Sequence, residues 1–124
     1  MSKKVLIADD EQNIVISVEF LMRREGFEVS VAHDGEAALE RIRADKPDLV
    51  LLDVMMPKKN GFDVCQEVRA DPAYASTRIL MLTARGRDTE VAKGLALGAD
   101  GFIAKPFELA ELRAEMARVL GARP

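Results

Sequence analysis

The sequence predicts an α/β protein, a doubly wound five-stranded parallel sheet flanked by five helices. Two observations carry this reading. Five short apolar runs recur, VLIA (5–8), FEVSVA (27–32), LVLLD (49–53), RILMLT (78–83) and GFIA (101–104). The first, third and fourth are continuous rather than alternating, as strands are when helices cover both faces of a parallel sheet. Between the runs lie amphipathic stretches of helical period, which makes βα repeats joined by right-handed crossovers.

Each element has its own local signal. After VLIA, the residues Ile14, Val18, Leu21 and Met22 fall at helical spacing, and Gly26 offers a left-handed stop. After FEVSVA, Asp34 can cap a second helix with apolar positions Ala37, Ala38, Leu39 and Ile42. After LVLLD, Val64, Cys65 and Val68 mark a third helix. It ends near Asp71-Pro72, because a residue preceding proline disfavours the α conformation. Val91, Ala92 and Leu95 mark the fourth helix, stopped by Gly98; Leu109, Leu112, Met116, Val119 and Leu120 form the last, ended by Gly121. One domain is expected over 1–121, with 122–124 as a tail or the start of a linker.

Bulk composition narrows the function classes. Eighteen basic residues against 21 acidic ones leave a net charge of −3, where a dedicated nucleic-acid surface would show a basic excess. One Tyr and no Trp leave little for base stacking. The single Cys65 has no internal partner and no leader opens the chain, so a reducing cytoplasm is the expected compartment. No apolar run approaches the roughly 20 residues of a membrane span.

The chemistry collects just beyond the strands. In open parallel α/β sheets, ligands sit past the carboxyl ends of the strands. The first run is followed by Asp9, Asp10 and Glu11, the third ends in Asp53, the fourth ends in Thr83, and the fifth is followed by Lys105-Pro106. Carboxylates gathered on one rim repel each other unless a cation or raised pKa values relieve them. Mg²⁺ suits such a site, since it prefers oxygen ligands and keeps positions for water and a phosphoryl oxygen. Lys105 and Thr83 then offer a phosphoryl group a point charge and a hydroxyl donor. Asp53 is left as the group that could itself be phosphorylated.

On these residues the chain resembles the receiver domain of two-component response regulators, the chemotaxis-type fold. The matching pieces are LIADDE (6–11), DVMMPKKNGFD (53–63), MLTA (81–84), GADGF (98–102) and AKPF (104–107), in family order across nearly the whole chain. The resemblance implies a (βα)5 flavodoxin-like sheet of strand order 2-1-3-4-5. It implies that Asp53 is the phosphoacceptor, taking its phosphoryl group from a sensor histidine kinase or phosphotransfer protein. Asp10, Asp53 and the backbone carbonyl of Met55 would hold Mg²⁺, with Asp9 acting through a water. Thr83 would bond the phosphoryl oxygen, Lys105 would pair with Asp53 or its phosphate, and Phe102 would be an aromatic switch. Lys105-Pro106 would be cis. Phosphorylation would then reshape the face of helix four, strand five and helix five for a downstream protein, as monomer or phosphorylation-dependent dimer. The bulk of Met55 and Arg85 beside the hydrolytic path implies a persistent acyl phosphate.

Alternatives stand beside these readings. His33 reads as a solvated loop residue, Cys65 as a small hydrophobe, Met81 and Met116 as core, Lys58-Lys59 as a solvated turn, and Gly35 and Gly61 as turn or helix-start residues. An aspartyl-phosphate hydrolase would need a second acid where Met55 stands. A nucleotide site would need a glycine-rich cradle where DDEQN stands. The input half of a DNA-binding regulator is the remaining alternative. Of the ion-pair dimer face of such regulators the chain keeps Lys93, Asp100 and Glu111, but has Val91, Gly101 and Glu115 at three other positions. The loop in RADPAYASTRIL is longer than in that class, so a stand-alone phosphoacceptor is the favoured output.

Overall fold

The computed structural model describes residues 3–84 and 88–121. Five strands, β1 (Lys4–Ala8), β2 (Glu28–Ala32), β3 (Leu49–Asp53), β4 (Arg78–Ala84) and β5 (Gly101–Lys105), alternate with five helices, α1 (Gln12–Arg24), α2 (Gly35–Asp45), α3 (Gly61–Ala70), α4 (Asp88–Leu97) and α5 (Leu109–Gly121). The strands are parallel, in the order β2-β1-β3-β4-β5. The order runs out from β1 in both directions, so the sheet has its switch point between β1 and β3, where Ala8 pairs with Leu52.

Two cores follow from the alternation of side chains across the sheet. Val5, Ile7, Leu49, Leu51, Leu80 and Leu82 pack with Val15, Val18 and Met22 of α1 and Leu112, Met116 and Val119 of α5. Leu6, Val50, Leu52, Ile79 and Met81 face the other way, onto Ala38, Leu39 and Ile42 of α2 and Val64, Cys65 and Val68 of α3. Leu49 to Leu52 are wholly buried, which is why that run is continuous.

The helix ends are partly those read from local chemistry. Asp34 accepts the Ala37 N–H at 2.8 Å, and Gly26 and Gly98 have φ of 90° and 105°. Asn60 and Asp63 form a reciprocal capping box that starts α3 directly after the β3 loop. Two left-handed residues are not glycine, Lys46 (φ 47°) closing α2 and Lys58 (φ 70°) in the loop after β3. A single 3-10 turn, Pro72–Tyr74, occupies the loop before β4, capped by Asp71.

Candidate functional site

Strand geometry brings the acids together. Asp9 follows β1 and is fully buried; Asp53 ends β3 and is 5% exposed; Asp10 lies beside them at the surface. Carboxylate oxygens of all three lie within 4.8 Å of one another. A cleft of about 560 Å³ opens above them, lined among others by Asp10, Glu11, Asp53, Met55, Ala84 and Lys105. Lys105 reaches in from the end of β5. Its Nζ donates to Glu11 Oε1 at 2.7 Å and stands 2.8 Å from Asp9 Oδ2 and 3.4 Å from Asp53 Oδ2.

One lysine does not balance this charge. Burial, and then the charge of Asp9, push the Asp53 carboxyl up to about 7, against the opposing pull of Lys105 and the Met55 N–H. Burial works against the Lys105 ammonium too, yet the carboxylates of Asp9, Glu11 and Asp53 outweigh it and raise its pKa above the usual lysine range. Asp9 Oδ2, though close to that ammonium, is buried without a properly directed hydrogen bond. A buried carboxylate next to two more, with one ammonium between them and an all-oxygen donor set, is the environment a hard divalent cation satisfies.

Thr83 is buried at the end of β4, one register step beyond Leu82, the partner of Asp53. Ala84 lines the cleft and keeps its wall low. Met55 projects over the mouth, 70% exposed. Its N–H donates to Asp53 Oδ1 at 3.3 Å. The Lys105–Pro106 peptide is cis. Arg85, expected to flank Met55, lies outside the described residues, as do 122–124.

Phe102 stands apart from the acids. It pairs with Met81 across β5 and β4, is half-buried, and packs with the core on the α3 side. A Cβ at Gly94 would come 2.7 Å from Phe102 Cζ, so the ring lies under α4 only because residue 94 has no side chain. Sequence reasoning missed this pairing; its one signal is a glycine inside a helical pattern. Gly61 is similar. A Cβ there would overlap the Asp53 carbonyl oxygen, and one at Gly35 would overlap the Lys59 carbonyl. Both glycines do begin helices, yet neither has a positive φ; close backbone approach is the reason for them.

A family model described as the response regulator receiver domain matches residues 5–117. The chain belongs to the response regulator receiver family. It is 42% identical over 120 residues to the alkaline phosphatase synthesis transcriptional regulatory protein PhoP of Bacillus subtilis (strain 168), a match covering 97% of this chain and 49% of that protein. The chain thus spans about half the length of that curated relative. The chemotaxis protein CheY4 of Vibrio cholerae superposes with a TM-score of 0.89 at 35% identity, over 96% of this chain and 99% of that one. The receiver domain of a sensor histidine kinase from Pseudomonas aeruginosa PAO1, solved with a magnesium ion coordinated in its active site cleft, superposes with a TM-score of 0.87 at 26% identity, over 98% of this chain and 99% of that one. This is a receiver domain of two-component signalling, with the strand order the motifs implied. Receivers work with histidine kinases or phosphotransfer proteins and bind Mg²⁺ at an aspartate cluster like this one.

The other readings sort themselves by contact. His33 is exposed, though its Nδ1 lies 3.3 Å from the Asp9 carbonyl oxygen. Cys65 is fully buried and its thiol pKa is raised by burial, as for an inert hydrophobe. Met81 and Met116 are core. Lys58 and Lys59 are not merely solvated: Lys58 lies 3.9 Å from Asp34, and Lys59 pairs with Glu67 of α3. The three retained dimer-face residues are engaged within the domain. Lys93 sits 4.6 Å over the Phe62 ring, Glu111 accepts the Glu108 N–H, and Asp100 turns to Arg69 at 2.7 Å. Glu115, at a position where a basic residue would serve that dimer, pairs with Arg118. Among the described residues no helix is long and apolar enough to cross a membrane.

Proposed function

We propose that Asp53 is the phosphoacceptor of this receiver. The observation that supports it is the raised carboxyl, to about 7, at the floor of a cleft with the buried Asp9 carboxylate beside it. An Asp53 Oδ would attack phosphorus as the P–N bond of a phosphohistidine breaks and the imidazole leaves with the electron pair. Asp10, Asp53 and the Met55 carbonyl are the residues that would hold Mg²⁺, with Asp9 behind a water. Once bound, the ion neutralises the carboxylates and an oxygen of the incoming group.

Lys105 and Thr83 do the rest from the protein side. The ammonium, already at 3.4 Å from Asp53 Oδ2, needs a small shift to meet a phosphoryl oxygen. Thr83 offers its hydroxyl from the neighbouring strand. Movement of Thr83 toward the phosphate would draw the Phe102 ring away from Gly94, changing the seat of α4 and hence the α4-β5-α5 face. A partner that binds one shape better reads the signal. The domain acts on its own phosphorylation and dephosphorylation and turns over no outside substrate.

The receiver unit spans 1–121, in the cytoplasm. Its favoured output is protein binding without direct contact to nucleic acid or membrane, as monomer or phosphorylation-dependent dimer. The similarity to a transcriptional regulatory protein over half its length supports a second reading, the input half of a longer regulator. Gel filtration with and without a phosphoryl mimic separates a dimerising switch from a monomeric one. The phosphoacceptor itself is tested by incubation with Mg²⁺ and acetyl phosphate. The expected result is one phosphoryl mass increment, absent in Asp53→Asn; a label retained by Asp53→Asn overturns the assignment.

A further inference from the structure

The Lys105 ammonium sits off-centre. It lies 2.7 Å from Glu11 Oε1 and 2.8 Å from Asp9 Oδ2, while Asp53 Oδ2, at 3.4 Å, is beyond good hydrogen-bond range. Glu11 also occupies a position that normally does something else. It is the N-cap residue of α1, yet its side chain makes no capping bond, and its own N–H is taken by Asp9 Oδ1 at 2.9 Å. The carboxylate is 58% exposed and instead crosses the cleft to a lysine 94 residues away.

An ammonium has three donors and here faces three carboxylates, two from the segment after β1 and one from the end of β3. A phosphoryl group on Asp53 would add up to about two negative charges and three acceptor oxygens, and would claim that ammonium. The Glu11 contact belongs to the state before that claim. We infer that Glu11 is a positioning residue that holds Lys105 toward the cleft mouth and so opposes formation of the phosphoryl-bound state. The inference rests on the phosphoacceptor reading above. Because Glu11 is largely exposed, its hold is modest, about two- to fivefold in the equilibrium.

Two substitutions separate holding from field. Glu11→Gln removes the charge, whereas Glu11→Asp keeps the charge and shortens the reach by one methylene. At saturating Mg²⁺, both variants are expected to bind beryllofluoride about two- to fivefold more tightly than the wild type in calorimetric titration. In the same variants without fluoride, the ¹⁵N-detected ammonium signal of Lys105 should shift, which a merely structural loop residue would not cause. Tightening in Glu11→Gln alone would reduce Glu11 to a source of field and overturn the inference, as would weaker or unchanged binding in both. Failure of the wild type to bind beryllofluoride with Mg²⁺, or equal binding by Asp53→Asn, would instead strike the phosphoacceptor reading itself.

Discussion

The two ends of the sheet handle charge in opposite ways. At the amino-terminal edge of β4 and β5, the Arg69 guanidinium donates to the carbonyls of Gly98 (2.8 Å), Tyr74 (3.1 Å) and Thr77 (2.8 Å) and to Asp100 Oδ2 (2.7 Å). That same oxygen also accepts the Ile79 N–H. Here each charge has a partner, and the bonds tie α3, the 3-10 turn and the turn before β5 into one unit. At the carboxyl edge, three carboxylates, those of Asp9, Glu11 and Asp53, share the single Lys105 ammonium, and Asp10 adds a fourth negative charge to the cluster. Similar residue types make a clamp at one end and an unrelieved cluster at the other. The difference is the ratio of donors to acceptors, and unrelieved charge marks the end where a ligand is expected.

If this contrast is physical, breaking each end must move stability in opposite directions. Arg69→Ala should lower stability by about 3 kcal/mol in urea unfolding, because Asp100 and the carbonyls of Gly98, Tyr74 and Thr77 lose the guanidinium they share. A loss below about 0.5 kcal/mol would mean the clamp is ornamental. Asp53→Asn should do the reverse. With its carboxyl raised from 3.8 to about 7, the folded state holds the proton more tightly than the unfolded chain. The wild type therefore loses stability relative to Asp53→Asn as pH rises through that window. Above it, in EDTA, the variant should be more stable by on the order of 4 kcal/mol. Mg²⁺ should close that gap by stabilising the wild type, and thermal unfolding from pH 4 to 8 would expose a pH-independent difference, which contradicts the raised carboxyl.

The smallest stability change is expected at Met55, whose side chain is 70% exposed at the cleft. Met55→Ala should leave unfolding within about 0.5 kcal/mol of the wild type. Its effect should appear in kinetics, as faster loss of the acyl phosphate once the cleft mouth is uncovered. An unchanged dephosphorylation rate would remove shielding as its role.

How much of this was legible varies residue by residue. LVLLD announces a buried strand ending in a charge, and Asp34 announces a cap, because both signals are carried within a few residues. The rim of Asp9, Asp10, Asp53, Thr83 and Lys105 was legible one step further on, since a parallel sheet must deliver strand ends to one edge. Asp100 was read only as one of the retained ion-pair residues of the α4-β5-α5 face. Its neighbours in sequence carry no sign that Arg69, 31 residues earlier, takes it inward. The glycines were placed correctly at helix starts but for a reason visible only when the β3 loop is seen to press on them.

Local pattern by itself thus determined the elements, the parallel sheet and the set of acids, because hydrophobic period and strand-end chemistry are properties of short stretches of chain; the strand order came only with the family resemblance. Tertiary structure alone decided how one ammonium is shared among Asp9, Glu11 and Asp53, and why Phe102 rests under Gly94. Those outcomes depend on distances of a few ångströms between residues far apart in sequence, and Coulomb and contact energies change over just that range.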